Sequence, residues 1–490
     1  MLGRFSRRHF AKLAGFSAFG MAASPAHSAE SQPTPASDRR GVAHFPDGFL
    51  WGTATSAYQI EGAVDADDRG RSIWDTFAHI PGKIADHSNA DRANDHYHRY
   101  KEDVRLIKDL GVKAYRFSIA WPRVFPEGTG APNPKGLDFY DRLLDELLAN
   151  GIEPFATLYH WDLPQALQDR VGGWQSSETS KAFANYAGHV ADRLGDRVRN
   201  IFTVNEAGRF VNFGYGWGID APGLRLPPAE LNQVRHNVAL AHGLAVQAIR
   251  ARGRGGIRVG PAENIAACVP AIATPANIHA AAIATRELNA GFLNVILEGK
   301  YTDGFLEYAG KDAPKFTADE LRIISTPVDF VGLNIYAPQF YVVASDRAPG
   351  FTVLPFPASF PHMNSDWLRV GPETIYWAPR LAAEIWNLDT IYISENGTSA
   401  ADKVEADGGI YDLDRIMYLR NYLGQLQRAT SEGVPVRGYF LWSLMDNFEW
   451  IFGLEKRFGL YRVDFDTLRR TPKLSVSFYR DVIEKNALGA

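Results

Sequence analysis

One stretch constrains the chain more than any other: Thr390-Ile391-Tyr392-Ile393-Ser394-Glu395-Asn396-Gly397. Four β-favouring residues, apolar on both faces, run into a Ser-Glu-Asn-Gly turn, the pattern of a parallel strand buried on both sides. Such a strand needs parallel neighbours and covering helices, so the chain belongs to the α/β class. Seven further runs fit the same role: Phe49 to Ala57, Ala114 to Ala120, Glu153 to Tyr159, Asn200 to Asn205, Ile257 to Pro261, Val328 to Asn334 and Val436 to Trp442. Helical patterns lie between them, such as His96 to Leu110 and Asp138 to Asn150, the latter ending on Asn150-Gly151 as a helix C-cap does. Eight strands alternating with helices close most simply into a (β/α)8 TIM barrel. A doubly wound open sheet is the alternative, but no Gly-rich phosphate loop follows the first strand. The longest connection, Tyr341 to Arg380, is rich in Pro, Phe and Trp and is expected to help wall a pocket.

At 490 residues the chain is long, yet α/β barrels of this size fold as one unit. A net charge of −4 without a long basic run argues against a nucleic-acid partner. The single cysteine, Cys268, has no internal partner and is expected to be a buried small hydrophobe. The N-terminus reads as a targeting segment. Arg7-Arg8 lies in Ser6-Arg7-Arg8-His9-Phe10-Ala11-Lys12, and Leu13 to Ala23 is weakly apolar and too short to span a bilayer, so no membrane anchor is expected. The pattern is similar to a twin-arginine export signal. Residues 1–29 are therefore expected to be a signal peptide, 30–43 a disordered lead-in rich in Ser, Pro and Ala, and 44–488 a single barrel domain. Removing Arg4, Arg7, Arg8 and Lys12, with no acid among them, takes the charge to about −8 and leaves an acidic, exported, periplasmic protein.

The strand ends carry the chemistry. In a parallel barrel, functional groups gather where strands give way to loops. Alone, Glu395 could be a helix cap or surface acid. A second run, Asn200-Ile201-Phe202-Thr203-Val204-Asn205-Glu206, also finishes on Glu, and two such carboxylates are what glycoside hydrolysis requires. Other strand ends bring Gln59 and Glu61, Arg116, His160-Trp161-Asp162, Asn334-Ile335-Tyr336, and Trp442 followed by Asp446 to Trp450. Aromatic faces for C–H surfaces beside amides, imidazole and carboxyls for hydroxyls are the mixture that sugars need.

From about Phe45 to Ile483 the chain resembles the β-glucosidases of glycoside hydrolase family 1. The resemblance rests on Trp51 to Gly62, Tyr115-Arg116-Phe117-Ser118-Ile119-Ala120-Trp121-Pro122 and Tyr159-His160-Trp161-Asp162-Leu163-Pro164. It continues through Thr203-Val204-Asn205-Glu206, Ile393-Ser394-Glu395-Asn396-Gly397, Asn447-Phe448-Glu449-Trp450 and Arg457-Phe458-Gly459-Leu460. It implies a retaining exo-β-glucosidase, with β-galactosidase or β-fucosidase side activity, that removes terminal β-D-glucosyl residues from oligosaccharides or aryl and alkyl glucosides. Glu395 matches the nucleophile and Glu206 the acid/base, with their carboxyls about 5–5.5 Å apart. Arg116 and the Tyr336 hydroxyl would hold Glu395 ionised, and its charge would raise the pKa of Glu206. Gln59, His160, Asn205, Trp442 and Glu449 match glycone-binding positions, with Trp450 nearby and Phe458 flanking the pocket. A carboxylate at Glu449 would repel a 6-phosphate. Two carboxylates and water suffice, so neither cofactor nor metal is expected, and the partner is a small carbohydrate.

Two departures stand out. The family's usual proline after the acid/base is Ala207 here, followed by Gly208-Arg209, which loosens the backbone and remodels the aglycone side. The Gly-Trp that often precedes the seventh unit is Gly371-Pro372-Glu373. Arg209 would favour a phenolic or acidic aglycone. Asp162 and Asp446 read as turn or capping acids, His96 and His98 as members of a solvated or interhelical network, and Trp121 as either pocket floor or packing. A catalytically silent sugar-binding barrel and a transglycosylase are the competing functions; the first would lack a catalytic Glu, and the second shares its residues with hydrolysis.

Overall fold

The structure, a computed structural model, describes residues 44–489; the expected signal segment (1–29) and lead-in (30–43) lie outside the described residues. The eight expected strands are β1 (Leu50–Ala54), β2 (Ala114–Ser118), β3 (Glu153–Tyr159), β4 (Asn200–Asn205), β5 (Arg258–Asn264), β6 (Val331–Asn334), β7 (Ile391–Asn396) and β8 (Val436–Trp442). Each pairs in parallel with its sequence neighbours, and β1 pairs with β8, so the sheet closes. The fold is a (β/α)8 barrel.

Two strands run further than their sequences suggest. β5 passes through Pro261 and continues to Ala262, Glu263 and Asn264, which pair with Gly332, Leu333 and Asn334. β7 carries Glu395 and Asn396 inside the ladder, opposite Asn334 and Leu441. Both extensions place polar side chains at the C-terminal rim of the barrel.

Below that rim the interior is filled by rings. Phe155 packs against Phe440 at 4.9 Å, Phe202 against Phe330 at 5.0 Å, and Phe155 and Phe330 each against Tyr392 at 5.4 Å. Glycines face them: a Cβ at Gly52 would lie 2.5 Å from the Phe440 ring, and one at Gly332 would lie 2.6 Å from Phe202. The Arg116 guanidinium rests 4.9 Å above the Phe202 ring, so this aromatic layer is the floor of the site.

Outside the strands, α1 (His96–Leu110) has the expected bounds. α2 (Pro134–Ala149) begins four residues before the expected start because the Asn133 side chain caps it and Pro134 fits its first turn. Tyr140, Leu143, Leu144 and Leu147 form its buried stripe; truncating one of these leucines to Ala should cost about 2–5 kcal/mol. The long connection is not featureless. Phe340–Ala344 and Phe351–Leu354 join Cys268–Pro270 in a three-stranded sheet, and Thr374–Trp386 is helical. Cys268 is buried there, which pushes its thiol up to about 12.

His96 Nδ1 donates to the buried Asp103 carboxylate, while His98 contacts Asp95 at the surface. Trp121 is fully buried and stacks on Tyr186 at 5.2 Å, a packing role. Asp162 and Asp446 depart from their expected roles. Among the described residues, neither carboxyl oxygen of Asp162 has a hydrogen-bond partner outside its own residue, and burial pushes the group up to about 8. Asp446 does accept from the Gly459 N–H, but it is chiefly a buried ion-pair hub for Arg457 (2.8 Å) and Lys473 (2.6 Å). Among the described residues no helix is long and apolar enough to cross a membrane.

Candidate active site

The Ser-Glu-Asn-Gly run at the end of β7 has a distinct task at each position. Ser394 donates to Asn334 Oδ1 at 2.6 Å. Glu395 receives Arg116 Nη1 on Oε1 at 2.5 Å and the Tyr336 hydroxyl on Oε2 at 2.6 Å. Asn396 is buried, donating to the Ile335 carbonyl (2.7 Å) and the Tyr418 hydroxyl (2.9 Å) while accepting from Tyr439 (2.7 Å). Tyr418 in turn donates to the Tyr336 carbonyl at 2.6 Å. Gly397 is required by space, since a Cβ there would sit 1.7 Å from the Trp442 carbonyl oxygen. With donors on both oxygens, one of them cationic, the Glu395 carboxyl is set up as an oriented carboxylate.

At the end of β4, Asn205 ties the two halves together. Its Oδ1 accepts from Arg116 Nη2 at 2.6 Å and from Asn334 Nδ2 at 3.1 Å, so its Nδ2 is the donor facing His160 Nε2 at 3.2 Å. That assignment puts the His160 proton on Nδ1, which is buried and has no partner among the described residues. Burial, with Arg116 adding to it, holds His160 well below the usual imidazole range, so the ring is neutral. It stacks between Trp442 (5.6 Å) and Trp450 (6.0 Å), and Trp450 packs on Trp161 at 4.4 Å.

Glu206 follows Asn205 with φ 50° and ψ 56°, a left-handed conformation that turns its side chain out of the strand. Its Oε1 accepts from Asn334 Nδ2 at 2.8 Å and more weakly from Asn264 Nδ2 at 3.4 Å. Burial, and second to it the charge of Glu395, pushes Glu206 up to about 7. The sequence pointed to the Glu395 charge; desolvation is the larger cause. Gln59 anchors the opposite wall: Nε2 donates to Asn447 Oδ1 (3.0 Å), the Phe448 carbonyl (2.9 Å) and Glu449 Oε2 (3.4 Å), and Oε1 accepts from Ser56 (2.7 Å). Glu449, half-buried at the edge of the pocket, is pushed up to about 8, chiefly by desolvation. Phe458 lies 6.3 Å from Tyr336, and Trp367, from the long connection, contacts both at 5.8 and 6.4 Å. The connection does contribute to the wall.

Gln59, Arg116, His160, Asn205, Glu206, Tyr336, Glu395, Trp442, Glu449, Trp450 and Phe458 therefore form one continuous group. Asn334, Asn264, Glu263 and Trp367 were not singled out from sequence. Asn334 stood at a strand end beside Tyr336 and was available to the same logic. Asn264 and Glu263 were hidden by ending β5 at Pro261. Glu263 accepts from the N–H groups of Ala207 (2.9 Å) and Gly208 (3.0 Å), and burial pushes it up to about 8. Arg209 places its guanidinium 3.5 Å over Phe213 and 3.2 Å from Asp220, with Trp161 at 5.9 Å.

Two buried carboxyls in contrasting surroundings, at the ends of two strands of one parallel barrel, define a carboxylate-dependent hydrolase class. The chain belongs to glycosyl hydrolase family 1, whose sequence profile matches residues 42–488. It is 43% identical to Beta-glucosidase A of Acetivibrio thermocellus over 449 residues, spanning 90% of this chain and 98% of that protein. It is 42% identical over 445 residues to the 1,4-beta-D-glucan glucohydrolase of Thermotoga neapolitana, with 91% and 99% covered. The solved family 1 β-glucosidase of Thermotoga maritima superposes with a TM-score of 0.83 at 42% identity, covering 92% of this chain and all of that one. That enzyme has also been solved in complex with deoxynojirimycin.

Proposed function

We propose that this protein is a retaining exo-β-glucosidase in which Glu395 is the nucleophile and Glu206 the acid/base. One observation carries the assignment: donors occupy both Glu395 oxygens, whereas Glu206 is pushed up to about 7 and holds its proton near neutral pH. Glu395 attacks the anomeric carbon while the glycosidic C–O bond breaks and Glu206 gives its proton to the departing oxygen. The covalent ester removes the Glu395 charge, so Glu206, now a carboxylate, becomes more acidic. Water then gives a proton to Glu206 and attacks the anomeric carbon, the ester bond breaks, and both carboxyls return to their starting states.

His160, Gln59 and Glu449 supply polar groups for the glycone hydroxyls, and Asn205, held by Arg116, is assigned to the 2-hydroxyl. The free His160 Nδ1–H supports a ligand role, because a buried donor without a partner costs about 1–3 kcal/mol. Trp442 and Trp450 offer apolar faces, and Phe458 and Tyr336 line the approach. The terminal glucosyl unit is the expected glycone, given the relatives named above. Proton NMR of the first product from an aryl β-glucoside should show β-glucose; α-glucose would mean inversion and remove the covalent scheme.

Location is a separate part of the proposal. The Arg7-Arg8 pair and the weakly apolar stretch after it support periplasmic export by the twin-arginine route. Replacing both arginines by lysine should leave the protein in the cytoplasmic fraction, and unchanged export would remove this part.

A further inference from the structure

Glu206 needs support that its own strand does not provide. A left-handed conformation is unfavourable for a non-glycine residue and persists only where the surroundings impose it. After Glu206, Ala207–Phe210 forms a single helical turn, whose first N–H groups have no partner within the turn. A proline at 207 would solve part of this by fixing φ and having no N–H to satisfy. Ala207 does neither.

Three consecutive residues of β5 take over. The Ala262 carbonyl accepts the Glu206 N–H at 2.8 Å. Glu263 spreads its two oxygens over the next two amides, Oε2 taking Ala207 N–H at 2.9 Å and Oε1 taking Gly208 N–H at 3.0 Å. Asn264 donates to the Glu206 carboxyl itself. A Cβ at residue 208 would sit 3.2 Å from Glu263 Oε1, so glycine there lets the carboxyl approach. Glu263 is 5% exposed, and a carboxyl at that depth is unfavourable unless hydrogen-bonded, a cost that an apolar side chain would not incur.

We propose that Glu263 is the positioning residue for the acid/base: by bridging the Ala207 and Gly208 amides it fixes the direction in which Glu206 delivers its proton, replacing the constraint of a proline ring. This rests on the assignment of Glu206 above. The exchange is reciprocal. Proline at 207 would strip Glu263 of one donor, and loss of Glu263 would leave two amides unpaired.

The test separates positioning from general damage by varying the leaving group. A 2,4-dinitrophenolate departs without a proton, whereas phenoxide needs one, and kcat/KM reports only the steps through bond cleavage. In full-length Glu263→Gln, an NH2 that can only donate replaces one accepting oxygen, so one of the two backbone N–H groups loses its acceptor. Its kcat/KM for phenyl β-glucoside should fall about 10–100-fold, with 2,4-dinitrophenyl β-glucoside within about threefold of the parent. Equal losses on both substrates, or none on either, would overturn the proposal. Glu263→Asp, which keeps the carboxyl group but is a methylene short of bridging both amides, carries the same test if the Gln variant does not fold. Glu206→Gln is run alongside. If that variant lacks the leaving-group dependence, the acid/base assignment itself falls; if it shows the dependence and the Glu263 variants do not, only the positioning role falls.

Discussion

Among the described residues, two of the clusters of buried charge are balanced differently. In the first, Arg415, Lys473 and Arg457 meet Asp402, Asp412 and Asp446. Arg415 bridges Asp402 (3.0 Å) and Asp412, Lys473 bridges Asp402 and Asp446, and Arg457 pairs with Asp446. Cations match acids, and Asp402 is held below the ordinary carboxyl range despite its burial. In the second, at the barrel mouth, Arg116 is the one cation among the described residues bonded to Glu395, while Glu206, Glu263 and Glu449 have no directly paired cation among them and are pushed up to about 7, 8 and 8. Matched charges hold the C-terminal segment against the barrel. Unmatched ones keep protons available near neutral pH, which is what acid/base chemistry needs.

The contrast breaks most visibly at Glu395. Glu395→Gln should retain its fold by circular dichroism yet lose roughly 10⁴–10⁶ in kcat, the scale of removing a nucleophile from a covalent mechanism. Next comes the balance itself. Arg116→Met and Lys473→Met each strip a buried cation from its acids and should each cost about 3–5 kcal/mol in denaturant unfolding. Only the first should also abolish turnover; Lys473→Met should keep kcat/KM within about threefold under conditions where it remains folded.

The pH profile sharpens the picture further. Below about pH 7 Glu206 keeps the proton that it must donate, and above it the proton is lost, so kcat/KM should fall roughly tenfold per unit on the alkaline side. Arg209 lowers Glu206, so Arg209→Met should move that limb upward by about half a pH unit. A limb that stays in place or moves down would detach Arg209 from the acid/base. The smallest change tests the β5 contact: Ala207→Pro with Glu263→Leu should regain at least about fivefold over Glu263→Leu alone on phenyl β-glucoside, because donor and acceptor leave together.

The barrel was readable because its strands are continuous apolar runs, and three of them (β3, β4, β8) have the expected bounds. Glu206 and Glu395 were readable because each ends such a run. Glu263 was not: Pro261 breaks the strand pattern in sequence, and only the fold shows the ladder continuing to Asn264. Asp446 looked like a turn acid because its partners Arg457 and Lys473 come from later segments.

The most direct test is to trap the glycosyl-enzyme. The full-length protein treated with 2,4-dinitrophenyl 2-deoxy-2-fluoro-β-glucoside should gain one fluoroglucosyl unit by mass spectrometry, and peptide mapping should place it on Glu395. A label on any other residue, or none under conditions where the parent glucoside turns over, would contradict a covalent mechanism centred on the end of β7.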